Sequence, residues 1–197
     1  MEPFPDRMRR SLMMSLAGLS LGSASPLSAT AAERSTSDAA STILVAYFSR
    51  TGNTRVVAGL IHRAFGSHLF EILPAHPYPE EYLATVEQAR QERDRGLEPA
   101  LERTVPGIAG YATVFLGFPI WGETAPPIIR SFLSAHDLSG KTVIPFITHG
   151  GYGLGDSESI VARHAARAVL RHAFSMQADQ ERQTMDHVNS WLREMPV

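Results

Sequence analysis

The six residues Ser49-Arg50-Thr51-Gly52-Asn53-Thr54 constrain the fold most, because they join two segments with different apolar patterns. Residues 43–48 form a short continuous apolar run, which is typical of a buried parallel strand. Residues 56–65 place their apolar side chains at helical spacing. The sequence therefore predicts a strand, a loop and the beginning of a helix, which is the repeating unit of an α/β fold.

The loop has the composition of an anion-binding site. The first N–H groups of a helix have no partner within the helix and its dipole is positive there, so a phosphate is favoured without a lysine. Ser49, Thr51 and Thr54 add hydroxyl donors, and Gly52 lets the backbone close round an anion. The loop matches neither a P-loop nor a dinucleotide fingerprint. An ordinary turn capped by Asn53 or Thr54 has the same pattern, so the loop alone leaves phosphate binding open.

Alternation of strands and helices continues along the chain. Strands are predicted at residues 68–73, 111–117 and 142–148. Helices are predicted at residues 79–95, 126–133 and from about Asp156, with consecutive prolines starting the second of them. This alternation predicts a doubly wound parallel sheet with helices on both faces.

The last third of the chain is ambiguous from its pattern. Residues 160–174 fit one long helix, but a doubly wound sheet is usually completed by a fifth strand, which residues 168–174 can supply. We predict that strand. A closing helix is predicted over residues 180–194, with an apolar stripe of Met185, Val188, Trp191 and Leu192 turned to the core.

Three loops follow the first, third and fourth predicted strands, whose carboxyl ends share one edge of such a sheet. Their motifs are S-x-T-G-N-T at Ser49 to Thr54, F-P-I-W-G at Phe118 to Gly122, and T-x-G-G-x-G at Thr148 to Gly153. With these motifs in this order, the chain from about Thr42 to its C-terminus resembles the flavodoxin family. The resemblance implies a flavodoxin-like, doubly wound five-stranded parallel sheet of order 2-1-3-4-5 and a non-covalently bound FMN.

The resemblance also implies which residues hold the cofactor. The FMN phosphate would be held by the side chains and amides of the first loop, namely Ser49, Arg50, Thr51, Gly52, Asn53 and Thr54. One side of the isoalloxazine would be flanked by Pro119, Ile120, Trp121 and Gly122. Its other edge would contact Thr148, His149, Gly150, Gly151, Tyr152 and Gly153. Tyr152 departs from the usual pattern, where related proteins often have a small hydroxyl residue, and we expect it to stack or to act as a lid.

Two further points stay open at this stage. Tyr78 and Tyr82 precede or begin the predicted helix near this edge, and they fit a lid or ordinary packing equally well. His149 fits either electrostatic tuning of the flavin or a solvent-facing position on the loop.

The pattern of the N-terminal residues predicts an export signal rather than part of the folded domain. Residues 1–31 contain a basic region, a short apolar region and the small-residue pattern Ala29-Thr30-Ala31, which predict an export signal cleaved before Ala32. The pair Arg9-Arg10 resembles a twin-arginine signal, which predicts a periplasmic protein. Residues 32–41 are expected to be a flexible tether, and residues 42–197 the flavodoxin-like FMN-binding domain.

Composition excludes several other classes. The chain has no cysteine, so disulfides, thiolate metal sites and a cysteine nucleophile are ruled out. A formal net charge of −2 gives no basic footprint for nucleic acid, and no apolar run is long enough for stable membrane insertion. The histidines lack metal-binding spacing, so we expect no metal site.

Three functions fit these observations. The first is a redox protein that transfers electrons through FMN to a partner protein or a small-molecule acceptor. The second is an FMN-dependent NAD(P)H:quinone oxidoreductase. The third is a non-redox binding module on the same fold, because a fold does not determine function.

Overall fold

Four apolar segments of the chain pair side by side in a parallel sheet. The computed structural model describes residues 41–177 and 181–195. The strands are β1 (Ile43–Tyr47), β2 (His68–Glu71), β3 (Thr113–Pro119) and β4 (Thr142–His149). They lie in the order β2-β1-β3-β4, and every pair is parallel. The central strands are apolar without alternation because helices cover both of their faces.

Two short strands, rather than one, form the edge beyond β4. They are β5 (Val169–Leu170) and β6 (Phe174–Gln177), and both pair with β4 in parallel. The predicted order 2-1-3-4-5 is confirmed, but the strand predicted over residues 168–174 differs in extent.

Pro145 of β4 explains the interruption of this edge. The N–H and C=O of one residue in a parallel strand point to the same side, and the side alternates along the strand. The carbonyl of Val143 accepts from the N–H of Arg171 at 2.9 Å, so the nitrogen of Pro145, two residues further on, faces the same edge. That nitrogen carries no hydrogen, and the ladder is broken there.

Each face of the sheet is covered by a different set of helices. One face packs Val45, Tyr47, Phe115 and Phe146 against α1 (Asn53–Phe65) and Val188 of α5 (Glu181–Glu194). The other face packs Leu44, Ala46 and Leu116 against α3 (Pro127–Ala135) and α4 (Ser157–His164). Trp191 and Leu192 pack against the first of these cores as predicted, whereas the side chain of Met185 lies outside the described part.

The helix α2 (Tyr82–Asp94) contributes no described residue to either core. The segment that follows α2 lies beside the residues that follow β2, and there Glu102 N–H donates to Leu73 O at 2.8 Å. Further along, Val105 N–H donates to Nε2 of the buried His136 at the end of α3, at 2.8 Å. This segment therefore closes the face of α3, and α2 lies outside the core.

Several boundaries differ from those predicted, for local reasons. α1 begins at Asn53 instead of residue 56, because Gly52 at φ +98° turns the chain directly into the helix. α2 begins at Tyr82 instead of residue 79, since the carboxylate of Glu81 accepts from the N–H groups of Leu83 and Ala84. Among the described residues no helix is both long and apolar enough to cross a membrane.

Candidate functional site

Three hydrogen bonds join the loops at the carboxyl ends of β1, β3 and β4. Phe48 N–H donates to Gly117 O at 2.8 Å, and Ile120 N–H donates to Thr148 O at 2.9 Å. The hydroxyls of Thr54 and Thr148 lie 2.9 Å apart and are hydrogen-bonded. Thr54 and Thr148 are both buried, so this bond is shielded from water. The three loops predicted to form one site are thus held together before any ligand binds.

A tight turn after Trp121 adds a fourth connection. Gly122 and Glu123 have φ values of +59° and +64°, and Glu123 is the only described residue other than glycine with a positive φ. The N–H of Asp156 donates to the carbonyl of Glu123 at 3.1 Å. A Cβ at Gly155 would lie 1.8 Å from the same oxygen, so only glycine allows this close approach.

The first loop presents its backbone at the N-terminus of α1. The hydroxyl oxygen of Ser49 accepts from the N–H groups of Gly52 at 3.1 Å and Arg55 at 3.3 Å. Ser49 therefore caps the loop from within, and its hydroxyl proton stays available to a ligand. Thr51 is exposed beside it, whereas Thr54 lies behind the loop in its bond to Thr148. The helix dipole favours an anion at this point.

The loops enclose a cleft of about 480 Å³ at this edge of the sheet. That volume lies within the usual range for small-molecule and cofactor sites. The predicted site residues that line it are Arg50, Thr51, Asn53, Pro119, Ile120, Trp121, Gly122, Thr148, His149 and Gly150. The structure therefore brings all three predicted loops to one cavity.

Six predicted residues do not line the cleft. Ser49, Gly52 and Thr54 lie in the first loop, where they shape its backbone. The other three are Gly151, Tyr152 and Gly153, in the turn after β4. The side chain of Tyr152 is 86% exposed, so the structure gives no stacking partner to it among the described residues.

Trp121 stands on one wall of the cleft as part of an aromatic cluster. Its ring meets Phe48 edge-on at 5.2 Å and Tyr78 edge-on at 4.9 Å between centroids. The hydroxyl of Tyr78 donates to Glu92 Oε2 at 2.9 Å, and burial, followed by this bond, raises the pKa of Tyr78 far above its ordinary value. Tyr78 is therefore a packing residue rather than a lid.

His149 is held by two hydrogen bonds. The N–H of Gly151 donates to Nδ1 at 3.1 Å. Nε2 lies 3.0 Å from the hydroxyl of Ser175 in β6 and is hydrogen-bonded to it. The imidazole thus ties the third loop to the interrupted sheet edge.

A further wall of the cleft is formed by α2, which was not predicted to belong to the site. Its lining residues are Tyr82, Thr85, Val86, Ala89, Arg90 and Arg93. Their spacing of three or four residues puts them on one face of the helix, and this was the available signal. It was missed because the helix is rich in charged residues, whose exposed face is usually only solvated. Tyr82, left open between lid and packing, lies on this wall and is 65% exposed.

Among the described residues, the formally charged side chains that line the cleft are all arginines. Arg50 reaches across the first loop, donates to the carbonyl of Glu80 at 2.7 Å and lies 5.9 Å from the ring centroid of Tyr82. Arg90 and Arg93 lie on α2, and no aspartate or glutamate of the described part belongs to the lining. Within residues 41–177 and 181–195, no three His, Asp or Glu side chains come together as a metal site.

Comparison with known proteins identifies the family of the chain and solved structures similar to it. The family model described as Flavodoxin matches residues 42–195. A protein from Bacteroides eggerthii, assigned as a flavoprotein, is 33% identical over 79% of this chain and 98% of that chain, with a TM-score of 0.67. A second such protein, from Bacteroides uniformis, is 30% identical over 78% and 99% of the two chains, with a TM-score of 0.70.

A third structure shares only the fold with this chain. It is a flavoprotein from Lactobacillus acidophilus in complex with FMN, 18% identical over 73% of this chain and 97% of that chain, with a TM-score of 0.61. No curated protein sequence matches the chain significantly.

Proposed function

Because this chain belongs to the flavodoxin family, we propose that it binds FMN non-covalently in the cleft and transfers electrons through it. One observation carries the proposal: the three loops meet in a single cleft that has a helix N-terminus in one loop and an aromatic wall in another. The FMN complex of the Lactobacillus acidophilus protein, which has the same fold, supports the choice of cofactor.

The backbone of the loops fits a phosphate and a flat ring. A Cβ built on Gly52 or Gly150 would meet no atom within 4 Å, so space beside the backbone is open at both places. Glycine there lets a ligand approach the main chain directly. The open positions lie on the first and third loops, to which the phosphate and the ring edge were assigned. The described residues therefore fit FMN.

When bound, FMN supplies the reversible uptake of one or two electrons. The protein would bind and orient the cofactor and exclude water from it. Thr51, with the first amides of α1, would bind the phosphate, and Arg50 adds positive charge beside them. Ser49 would hold this loop in shape through its bonds to the N–H groups of Gly52 and Arg55. Trp121, fixed edge-on by Phe48 and Tyr78, would exclude water from one side of the ring. Because the loops are already hydrogen-bonded to each other, little ordering is needed on binding.

Replacement of Trp121 tests this arrangement. Stacking of an aromatic side chain on a flat base contributes about 1 to 3 kcal/mol, so Trp121→Ala should weaken FMN by about that amount in a fluorescence titration of the apoprotein. Trp121→Phe is the control and should keep most of the affinity. An unchanged FMN affinity in Trp121→Ala would remove Trp121 from the site.

The wall formed by α2 favours a second candidate, an FMN-dependent NAD(P)H:quinone oxidoreductase. It adds an apolar surface at Val86 and Ala89, opposite the loops, against which a second planar molecule can pack. Mixing the FMN-loaded protein with NADH or NADPH and a quinone separates the candidates. Rapid multiple turnover of NADH or NADPH would establish the reductase. A single slow oxidation of the nicotinamide would instead support a carrier with a separate redox partner.

Export is proposed from the sequence alone. Residues 1–40 lie outside the described part, and the proposal rests on the pair Arg9-Arg10 and on the small-residue pattern that ends at Ala31. Replacement of both arginines by lysine should keep the precursor in the cytoplasm. Unchanged recovery from the periplasm after cell fractionation would refute twin-arginine export.

A further inference from the structure

We propose that α2 forms a subsite for the anionic group of a flat aromatic electron acceptor, and that Arg93 recognises this group. The inference rests on the proposed function, since the acceptor would lie beside the FMN in the same cleft. It adds the chemical class of the acceptor, a quinone with a negatively charged substituent, and the residue that selects it.

The charge of the cleft supports this class of ligand. Among the described residues, no carboxylate shares the lining of the cavity with these arginines. The acids that pair with Arg90 and Arg93 are Glu87 and Asp94, which belong to α2 but do not line the cleft. A cavity with positive lining and counter-charges outside it favours an anion.

The guanidinium of Arg93 has a donor directed to the cleft. Its Nε and Nη2 bond the carboxylate of Asp94 at 3.2 and 3.1 Å, which fixes the plane of the group. Its Nη1 lies 2.5 Å from the position that a Cβ on Gly122 would take. Gly122 lines the cleft, and Nη1 makes no hydrogen bond to any residue of the described part. Arg90 differs, because all three of its nitrogens bond Glu87 or Asp94.

The position of Arg93 separates it from the FMN phosphate. Arg50 of the first loop lies at the beginning of α2, near Tyr82, whereas Arg93 lies eleven residues further along the helix. At 1.5 Å per residue, the positions of Tyr82 and Arg93, at the two ends of this wall, are about 16 Å apart along the helix axis. One end serves the phosphate of the cofactor in the proposed function. The other lies beside Gly122, on the loop assigned to the isoalloxazine, so an anion bound by Arg93 would lie at the ring end of the cleft.

The surface between the two ends suits an aromatic body. Val86 and Ala89 of α2 line the same cleft as Ile120 and Trp121 of the second loop. Val86 is 45% exposed, so its apolar side chain is open to a ligand in the cleft. An acceptor with a flat apolar ring and one anionic substituent matches this lining, whereas a purely polar anion does not.

The test compares two quinones that differ only in charge. Naphthoquinone sulfonate and unsubstituted naphthoquinone are bound to the FMN-loaded protein by equilibrium dialysis, and their rates of reaction with dithionite-reduced holoprotein are measured by stopped flow. In that reaction the quinone gains two electrons from the reduced flavin and two protons from the flavin and solvent, and it becomes the hydroquinone. The wild type should bind the sulfonate more tightly than the neutral quinone.

Arg93→Gln should weaken the sulfonate about tenfold, as expected for one lost charge-assisted hydrogen bond, and should leave the neutral quinone and FMN unchanged within about twofold. Arg93→Lys should retain the preference because it keeps the charge. Arg95→Gln is the matched control, since Arg95 is exposed at the end of the same helix and does not line the cleft.

Three outcomes would overturn the proposal. The first is that Arg93→Gln weakens binding of both quinones equally. The second is that Arg93→Gln loses affinity for FMN instead of affinity for the sulfonate. The third is that the wild type shows no preference for the sulfonate. Failure of the proposed function is recognised separately, because no FMN would then bind to the wild type. Dialysis of the sulfonate against the flavin-free protein still reports on Arg93 in that case.

Discussion

The two walls of the cleft are built in different ways. The loop wall is rooted in β1, β3 and β4, and it is cross-linked by backbone bonds and by the buried pair Thr54 and Thr148. The wall formed by α2 buries Thr85 and Ala89 but adds no described residue to either core cluster. Side-chain hydrogen bonds help to hold it, such as that from Tyr78 to Glu92 and that from Arg50 to the carbonyl of Glu80, just before the helix. A rigid wall suits a resident cofactor, and a loosely held one suits ligands that come and go.

This difference predicts that the same kind of change has larger consequences on the loop wall. Loop-wall substitutions should lower the free energy of global unfolding. Substitutions on α2 should increase local opening of that helix and leave global unfolding nearly unchanged.

The largest effect is expected for Gly155→Ala. The new Cβ would lie 1.8 Å from the carbonyl oxygen of Glu123, and the residue has φ +53°, so we expect a loss of about 2 to 4 kcal/mol in urea unfolding. Gly96→Ala is the matched control, because Gly96 has φ +64° after α2 and open space around it. The control should cost only about 1 kcal/mol. Equal losses in the two variants would show that the contact with Glu123 does not hold the loops.

A smaller effect is expected for Thr54→Val. It removes the partner of the Thr148 hydroxyl, which is only 2% exposed, and an unpaired buried hydroxyl costs about 1 to 3 kcal/mol. The double variant with Thr148→Val should lose less than the sum of the single losses, because both polar groups are then gone. Strictly additive losses in urea unfolding would mean that the two hydroxyls do not interact.

The smallest effect is expected for Glu81→Ala at the start of α2. The carboxylate caps the N–H groups of Leu83 and Ala84, and loss of a side-chain cap destabilises the first turn of a helix. Hydrogen exchange of the α2 amides should accelerate while global unfolding stays the same. Glu80→Ala is the control, since the side chain of Glu80 caps nothing in the described part. A fall in global stability would place α2 in the cooperative core.

Acid should remove the same cap. The backbone bonds from Leu83 and Ala84 lower the pKa of Glu81, so the folded state holds this proton less tightly than the unfolded chain. The contribution of the cap is therefore complete above the ordinary pKa of glutamate and is lost as the pH falls through the lowered value. Exchange of the α2 amides in Glu81→Ala should lack this acid-dependent increase.

The loop wall could be predicted because each of its loops follows a strand with a strong apolar pattern. Once Ile43–Tyr47, Thr113–Pro119 and Thr142–His149 are strands of one parallel sheet, their carboxyl ends have to share an edge. The placement of Trp121 and Thr148 in one cleft follows from that topology. No knowledge of distant contacts was needed.

The other wall could not be predicted, since α2 is positioned by contacts that are distant in sequence. The pattern of residues 79–95 indicates a helix but not its neighbours. Two hydrogen bonds fix the segment that follows α2, one from Glu102 to Leu73 and one from Val105 to His136 at the end of α3. Because this segment lies against α3, α2 is left at the cleft. The broken sheet edge has a similar origin, because Pro145 acts on a strand that comes more than twenty residues later.

The most direct test is the absorbance spectrum of the protein as purified from cells, followed by titration of the apoprotein with FMN. The account predicts the bands of an oxidised flavin and binding of about one FMN per chain. A colourless protein that takes up no added FMN would contradict it, because the cleft formed by the three loops would then serve another ligand.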